Sequence, residues 1–377
     1  MMAKTRWFVA TLLVLSLVVC GCNLLIGSLI CNVSIGQTQG IIAQNVVSFG
    51  PGLLTLPDGN LLTAYPDAPG IVIKLSTDKG ATWEPNSVIY ISDSSADALA
   101  LLPNGSLFLS TSVVPASGIG TPAYAIGTIG TGDAITWSAW VFISTPESIY
   151  SCWAMSPVVY LGNGNLLWPV WCYNDPAGDL PGSSTVLLST DGGLTWPKQV
   201  VVGNSITDGR DYDESAAVIY PNGNIVMIIR QTIWGETDRY GSYWRSESTD
   251  GGNTWSAPSE VVKSVYIGRP TLALLPSGGL VLMGRALVAG NSVTGFGTSW
   301  DEGLTFSVFT SLGVGDPGTD NYDAMSLLQD GSIAVVTVHN NSGTGLNNIY
   351  YRNLIDLCSS RVGTSEHASC LRSVWLK

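Results

Sequence analysis

Arginine is scarce in this chain: Lys and Arg together make 16 of 377 residues. Yet Arg230, Arg269 and Arg285 stand at matched distances from a run of glycine turns, and Glu214 and Tyr322 stand at equivalent distances. Guanidinium groups grip anions through paired N–H donors. Carboxylates exchange protons, and phenols can join proton transfer or nucleophilic attack. Asp97, Asp213, Asp323 and His339 lie one step along the chain from matched positions, and Asp67 begins the loop after the first hairpin. A lone residue of any of these types is usually a surface or packing residue. The coincidence of several at one register argues for a single polar pocket.

The elements that would position these residues repeat six times. "GLLTLPDGNLLTAY" (52–65), "LALLPNGSLFLST" (99–111), "SPVVYLGNGNLLWPVW" (156–171), "AAVIYPNGNIVMIIR" (216–230), "TLALLPSGGLVLMGR" (271–285) and "AMSLLQDGSIAVVTV" (324–338) share one pattern. Each is an apolar run, a turn ending in Gly and a second apolar run, the mark of a β-hairpin. The turn residues Gly59, Gly105, Gly164, Gly223, Gly278 and Gly331 are 46, 59, 59, 55 and 53 residues apart. Hairpins at this period, without helical periodicity between them, predict an all-β chain. The expected fold is a six-bladed β-propeller with four-stranded antiparallel blades over residues 41–357. The stretch "IIAQNVVSF" (41–49) is expected to add an outer strand to the last blade.

Hairpin register then locates the pocket. The residue nine before each turn Gly lies opposite the residue seven after it. The pairs are Gly50/Pro66, Ala96/Ser112, Met155/Trp171, Glu214/Arg230, Arg269/Arg285 and Tyr322/Val338. All sit at the rim opposite the turns. The same register makes Cys152 and Cys172 cross-strand neighbours in blade three, able to form a disulfide in an exported protein.

A second repeat looks more like a site than it is. "STDKGATW" (76–83), "STDGGLTW" (189–196), "STDGGNTW" (248–255) and a weaker "SWDEGLTF" (299–306) fall after the third strand of their blades, and "TGDAITW" (131–137) is a degenerate copy. In such a loop the Asp accepts backbone N–H groups, the Gly allows positive φ and the Trp packs beneath the turn. Catalysis does not need four copies, so the loops are read as structural.

The chain resembles the sialidase (neuraminidase) superfamily of six-bladed Asp-box propellers over about residues 41–357. Beyond the Asp boxes, "ESAAVIYPNGNIVMIIR" (214–230) is similar to the segment that opens with the family's catalytic Glu and ends with a substrate-binding Arg. "YDAMSLLQDGSIAVV" (322–336) is similar to the segment that carries its nucleophilic Tyr. The resemblance implies an exported hydrolase of terminal acidic sugars in which Tyr322 attacks, Glu214 draws off the phenol proton and Arg230 grips the substrate carboxylate. Tyrosine nucleophiles set sialidases apart from most glycosidases. The acid/base role falls to Asp67, with Asp97 as the alternative. The sequence also departs from the family. Phe49-Gly50-Pro51 stands where an Arg-Ile-Pro motif is expected, and "GNSVTGFGTSWDEG" (290–303) lacks the third family Arg. Arg269 and Arg285 are the candidate replacements from the same rim.

Composition narrows the alternatives. A net charge of −12 leaves no basic surface for nucleic acid. None of the seven Cys forms a C-x-x-C pair and the only histidines are His339 and His367, so no metal or cofactor is expected. Lys4 and Arg6 precede the apolar run "WFVATLLVLSLVV" (7–19). This reads residues 1–33 as a signal peptide, or as a membrane or lipid anchor at Cys22 of the lipobox-like "VCGC". Residues 358–377 read as a tail. A glycan or glycoconjugate is the expected partner. The other functional readings are a glycosidase for a non-sialic substrate and a non-catalytic glycan-binding or adhesion propeller. The latter could stack sugar rings on Trp153, Trp168, Trp171 and Tyr173 of blade three.

Overall fold

The computed structural model describes residues 33–356, apart from 47, 49, 115–118, 144–150, 174–180, 233–240, 265–267, 289–290, 313–321 and 341–345. The expected leader (1–33), including Cys22, and the tail (358–377) therefore lie outside the described residues, save Val33 itself.

Six antiparallel sheets form a six-bladed β-propeller. Blade one runs Gly52–Thr55, Leu61–Asp67, Gly70–Ser76 and Glu84–Tyr90, from the axis outward. Blade four follows the same plan with Asp211–Ile219, Ile225–Thr232, Gly241–Ser248 and Ser259–Ser264. In blade three the inner strand is split into Ser151–Trp153 and Val159–Gly162, both paired with Asn165–Tyr173. Blade six takes its outermost strand from the other end of the chain: Val33–Val46 pairs with Asn347–Asp356 and closes the ring. That strand begins earlier than the apolar stretch at 41 suggests. Its first eight residues, VSIGQTQG, alternate apolar, polar and Gly residues and so show no continuous apolar run.

Burial accounts for the ring. Each sheet has two faces, and each face packs against a neighbouring blade, so the strands carry apolar residues on both sides. One core joins Leu62, Ile71 and Ile73 of blade one to Leu99, Leu107 and Leu109 of blade two. Equivalent cores fill the other five interfaces.

The Asp boxes stitch these interfaces. Asp250 Oδ1 accepts from Ser248 Oγ at 2.9 Å and from Thr254 N at 2.9 Å, while Oδ2 accepts from Thr254 Oγ1 at 2.7 Å. Asp78, Asp191 and Asp301 repeat this pattern. Each carboxylate is used up within its own loop, and the loop's aromatic residue joins the core shared with the preceding blade. Trp83 packs on Tyr351 of blade six with ring centroids 5.8 Å apart. Gly80 is irreplaceable there: its φ is +89°, and a Cβ would sit 2.3 Å from the Tyr351 ring. Among the described residues no cluster of metal-ligating side chains occurs.

Candidate functional site

The predicted register holds in blades four, five and six. Ser215 pairs with Ile229, Thr271 with Met283 and Ala324 with Val336, so Glu214, Arg269 and Tyr322 stand just beyond these pairs at the rim opposite the Asp boxes. In blade three it does not hold. An irregular stretch between Trp153 and Val159 makes Trp153, rather than Met155, the partner of Trp171. The same shift sets Cys152 directly against Cys172, and the two form a disulfide.

Three predicted residues meet in one group. Glu214 Oε2 accepts from Arg230 Nη1 at 2.7 Å, and Glu214 Oε1 accepts from the Tyr322 hydroxyl at 2.8 Å. Glu214 is 4% exposed, so both interactions act with little solvent screening. Burial works against its charge, but Arg230 and the Tyr322 hydroxyl outweigh burial and hold its carboxyl below the usual range. Burial and then the Glu214 charge push the Tyr322 phenol up to about 12, against Arg230 and Arg285. The resting state is thus an ionised carboxylate accepting the proton of a neutral phenol.

A second acid pair lies behind Arg230. An irregularity in the ladder between Tyr212 and Ser215 allows consecutive Asp213 and Glu214 to turn toward the same guanidinium. Asp213 Oδ2 is 3.6 Å from Arg230 Nε, farther than Glu214 is from Nη1. Burial therefore dominates at Asp213 and raises its carboxyl well above the usual range. Thr232 Oγ1 lies 2.9 Å from Asp213 Oδ2 and 3.3 Å from Asp211 Oδ2, while Asp211 Oδ1 accepts from Gly182 N at 2.7 Å. The single Thr232 hydroxyl is thus set between two buried carboxylates. Burial raises Asp211 as well. Sequence placed Asp213 near the pocket but missed Asp211 and Thr232, because the ladder irregularity that gathers them leaves no mark in hairpin spacing.

Arg269 and Arg285, the candidate replacements for the family's missing arginines, are 3% and 1% exposed. Arg269 donates from Nη1 to the Met155 carbonyl of blade three at 2.7 Å and from Nη2 to the Asp323 carbonyl at 2.9 Å. Its guanidinium carbon lies 5.2 Å from the centre of the Tyr322 ring. The guanidiniums of Arg269 and Arg285 both oppose the effect of burial on Asp323; burial still pushes that carboxyl up to about 7. A cavity of about 50 Å³ lies on the axis, lined by the first strands of all six blades, with Arg269 and Asp323 in its wall.

Asp67, His339 and the blade-three aromatics make no hydrogen bond to the group of Glu214, Arg230 and Tyr322 among the described residues. Asp67 ends the second strand of blade one, half-buried and paired with Gly70. Among the described residues no hydrogen bond or ion pair joins it to Glu214, Arg230 or Tyr322. The Asp97 backbone pairs with Thr111, and its side chain lies outside the described residues. His339 shares a hydrogen bond with Thr337 at 3.1 Å and stacks edge-on to Tyr350. In blade three Trp168 is wholly buried core, while Trp153, Trp171 and Tyr173 form a half-buried aromatic row. Tyr173 lies close enough to Asp211, Asp213 and Glu214 for their charges to add to burial in raising its phenol.

A family profile for the BNR repeat-like domain matches residues 67–284, more than half of the chain. The protein belongs to the BNR repeat-like family. Solved structures agree on the fold. A protein of unknown function from Dyadobacter fermentans aligns with a TM-score of 0.70 at 17% identity, covering 85% of this chain and 98% of its own. An alpha-L-arabinanase from Penicillium chrysogenum, complexed with arabinobiose, aligns with a TM-score of 0.63 at 17% identity, covering 86% and 99%. A Trypanosoma rangeli sialidase in complex with the inhibitor DANA aligns with a TM-score of 0.58 at 14% identity, covering 81% of this chain and 55% of its own. A search of curated proteins returned no significant match. The BNR-type propeller is thus shared by sialidases and arabinan-degrading enzymes alike.

Proposed function

We propose that this protein is an exported glycoside hydrolase of the sialidase type, with Tyr322 as nucleophile and Glu214 as its base. The observation that carries this reading is the 2.8 Å hydrogen bond from Tyr322 to a buried carboxylate whose other oxygen is held by Arg230. In the first step the Tyr322 O–H bond breaks, and its proton passes to Glu214 Oε1. A bond forms from the phenol oxygen to the anomeric carbon as the bond to the leaving oxygen breaks. Asp67, or Asp97 in its place, supplies the leaving oxygen with a proton. Water then reverses these roles and releases the sugar. A neutral attacking phenol suits a substrate that carries a carboxylate beside the reacting carbon, because no anion approaches another. The role of gripping that carboxylate falls to Arg230.

The test is release of an aryl leaving group from a sialoside by the purified protein, with Tyr322→Phe alongside. Turnover that survives the substitution removes Tyr322 from the mechanism. One observation favours a second reading within the same chemistry. Arg269 and Arg285 are buried and Arg230 is already paired with Glu214, which leaves a weaker grip on a substrate carboxylate than three converging arginines would give. A neutral glycoside is then the substrate. A panel that sets aryl sialosides against aryl arabinofuranosides and hexosides decides between them, and glycan binding without hydrolysis of any of them supports a non-catalytic propeller.

A further inference from the structure

Arg269, expected from sequence to bind substrate, also makes contacts within the protein. It projects from the start of the inner strand of blade five and is 3% exposed. Its two terminal nitrogens donate to main-chain carbonyls on either side of the axis, Met155 in blade three and Asp323 in blade six. Asp323 directly follows Tyr322, so the second bond fixes the main chain that carries the phenol. The planar group that makes these bonds lies 5.2 Å from the centre of the Tyr322 ring. A guanidinium within about 6 Å of a ring face is attracted by the π-electrons, and the attraction increases when the ring carries a negative charge.

We propose that Arg269 is a positioning residue for the Tyr322 nucleophile: braced across the propeller axis by two carbonyls, it holds its charge over the phenol ring and stabilises the phenolate formed as the proton leaves for Glu214. The assignment rests on Tyr322 as the nucleophile. It goes beyond that reading by making a residue of blade five, remote from the leaving group, a control on reactivity.

The charges around the phenol show why such a control has work to do. Glu214 accepts the phenol's hydrogen bond, and its anion opposes a second negative charge on Tyr322. Arg230 favours the phenolate but is itself ion-paired with Glu214 at 2.7 Å. Arg285 also favours the phenolate, and with Arg269 it opposes the effect of burial on the Asp323 carboxyl. Arg269 is the cation set over the Tyr322 ring among the described residues.

Truncation to Ala would orphan two carbonyls, so the informative variants are Arg269→Gln, which keeps an N–H donor and removes the charge, and Arg269→Lys, which keeps the charge. Tyr322 is replaced by 3,5-difluorotyrosine, and its ionisation is followed by ¹⁹F NMR in the otherwise native full-length protein and in both variants. Removal of a cation that favours the phenolate over the phenol by about 1.4 kcal/mol corresponds to a rise of about one pH unit in the ionisation midpoint. Arg269→Gln is expected to show that rise, with Arg269→Lys within a few tenths of a unit of the native residue. In the hydrolase assay, Arg269→Gln should lose about tenfold in kcat, and the fluorinated phenol should restore part of that loss. Equal midpoints in all three proteins, with only lower melting temperatures in the variants, would overturn the proposal and leave Arg269 a brace. The NMR readout needs no turnover, so a protein inactive on every glycoside refutes the hydrolase reading without masking the effect of Arg269 on the phenol.

Discussion

Replacing Glu214 by Gln tests both the energetics and the chemistry of the site. The carboxylate accepts two hydrogen bonds, one charged, and is 4% exposed. Hydrogen bonds to charged groups contribute about 1.5–3 kcal/mol each, and removing one member of a buried ion pair costs about 3–5 kcal/mol. Gln keeps an acceptor for Arg230 but no charge. The remaining neighbour, Asp213, is farther from the guanidinium at 3.6 Å and is raised toward its neutral form. The expected loss is therefore at the low end of that range, about 3 kcal/mol, read from the urea unfolding midpoint at neutral pH. The chemistry should suffer more, by about 10²–10⁴ in kcat/KM, because the Gln amide cannot take the phenol proton. Glu214 is held below its ordinary range, so its contribution to stability is present above the unfolded value of about 4.3 and is lost as pH falls through the folded value. The acid limb of the native pH–rate profile should follow that ionisation and vanish in the variant. Turnover within threefold of native, with the acid limb intact, would refute the assignment of Glu214 as base.

The other predictions concern what holds the site in place. The Asp-box residues Asp78, Asp191 and Asp250 are lowered to about 2, chiefly by the hydroxyls of Thr82, Thr195 and Thr254. Their stabilisation is present above the unfolded value of about 3.9 and is lost as pH falls toward 2. Asp191→Asn should flatten the acid dependence of the melting temperature while leaving turnover unchanged, because the box lies at the opposite rim. Replacing both Cys152 and Cys172 by Ala should cost about 3 kcal/mol in urea unfolding, the value for a closed loop of this size, with the sequence separation being 20. Gly284→Ala should cost about 1–3 kcal/mol in the same assay and lower turnover, since a Cβ there would lie 2.4 Å from the Tyr243 hydroxyl and 3.0 Å from the Arg269 carbonyl. Native-like stability in that variant would show that the blade-five backbone has room that the packing denies.

Hairpin periodicity is a local property, and it is why the fold was legible. Apolar runs on either side of a Gly turn specify a strand pair, and six of them at a regular spacing specify six blades. The same periodicity fixed the relation of Glu214 to Arg230, because residues on two strands joined by one turn have little freedom in register. It could not reveal where the ladder slips. The irregularities beside Tyr212 and Trp153 gather Asp211, Asp213 and Thr232 and align Cys152 with Cys172. Both depend on packing against neighbouring blades.

What the sequence determined by itself is therefore the six blades, the structural nature of the Asp boxes and the rim at which the polar residues collect. The contact of Tyr322 with Glu214 joins residues 108 positions apart. Arg269 reaches a carbonyl 114 positions away. Only closure of the ring decides such contacts, because the reach of a side chain across the axis depends on the angles between all six blades. No single hairpin contains that information.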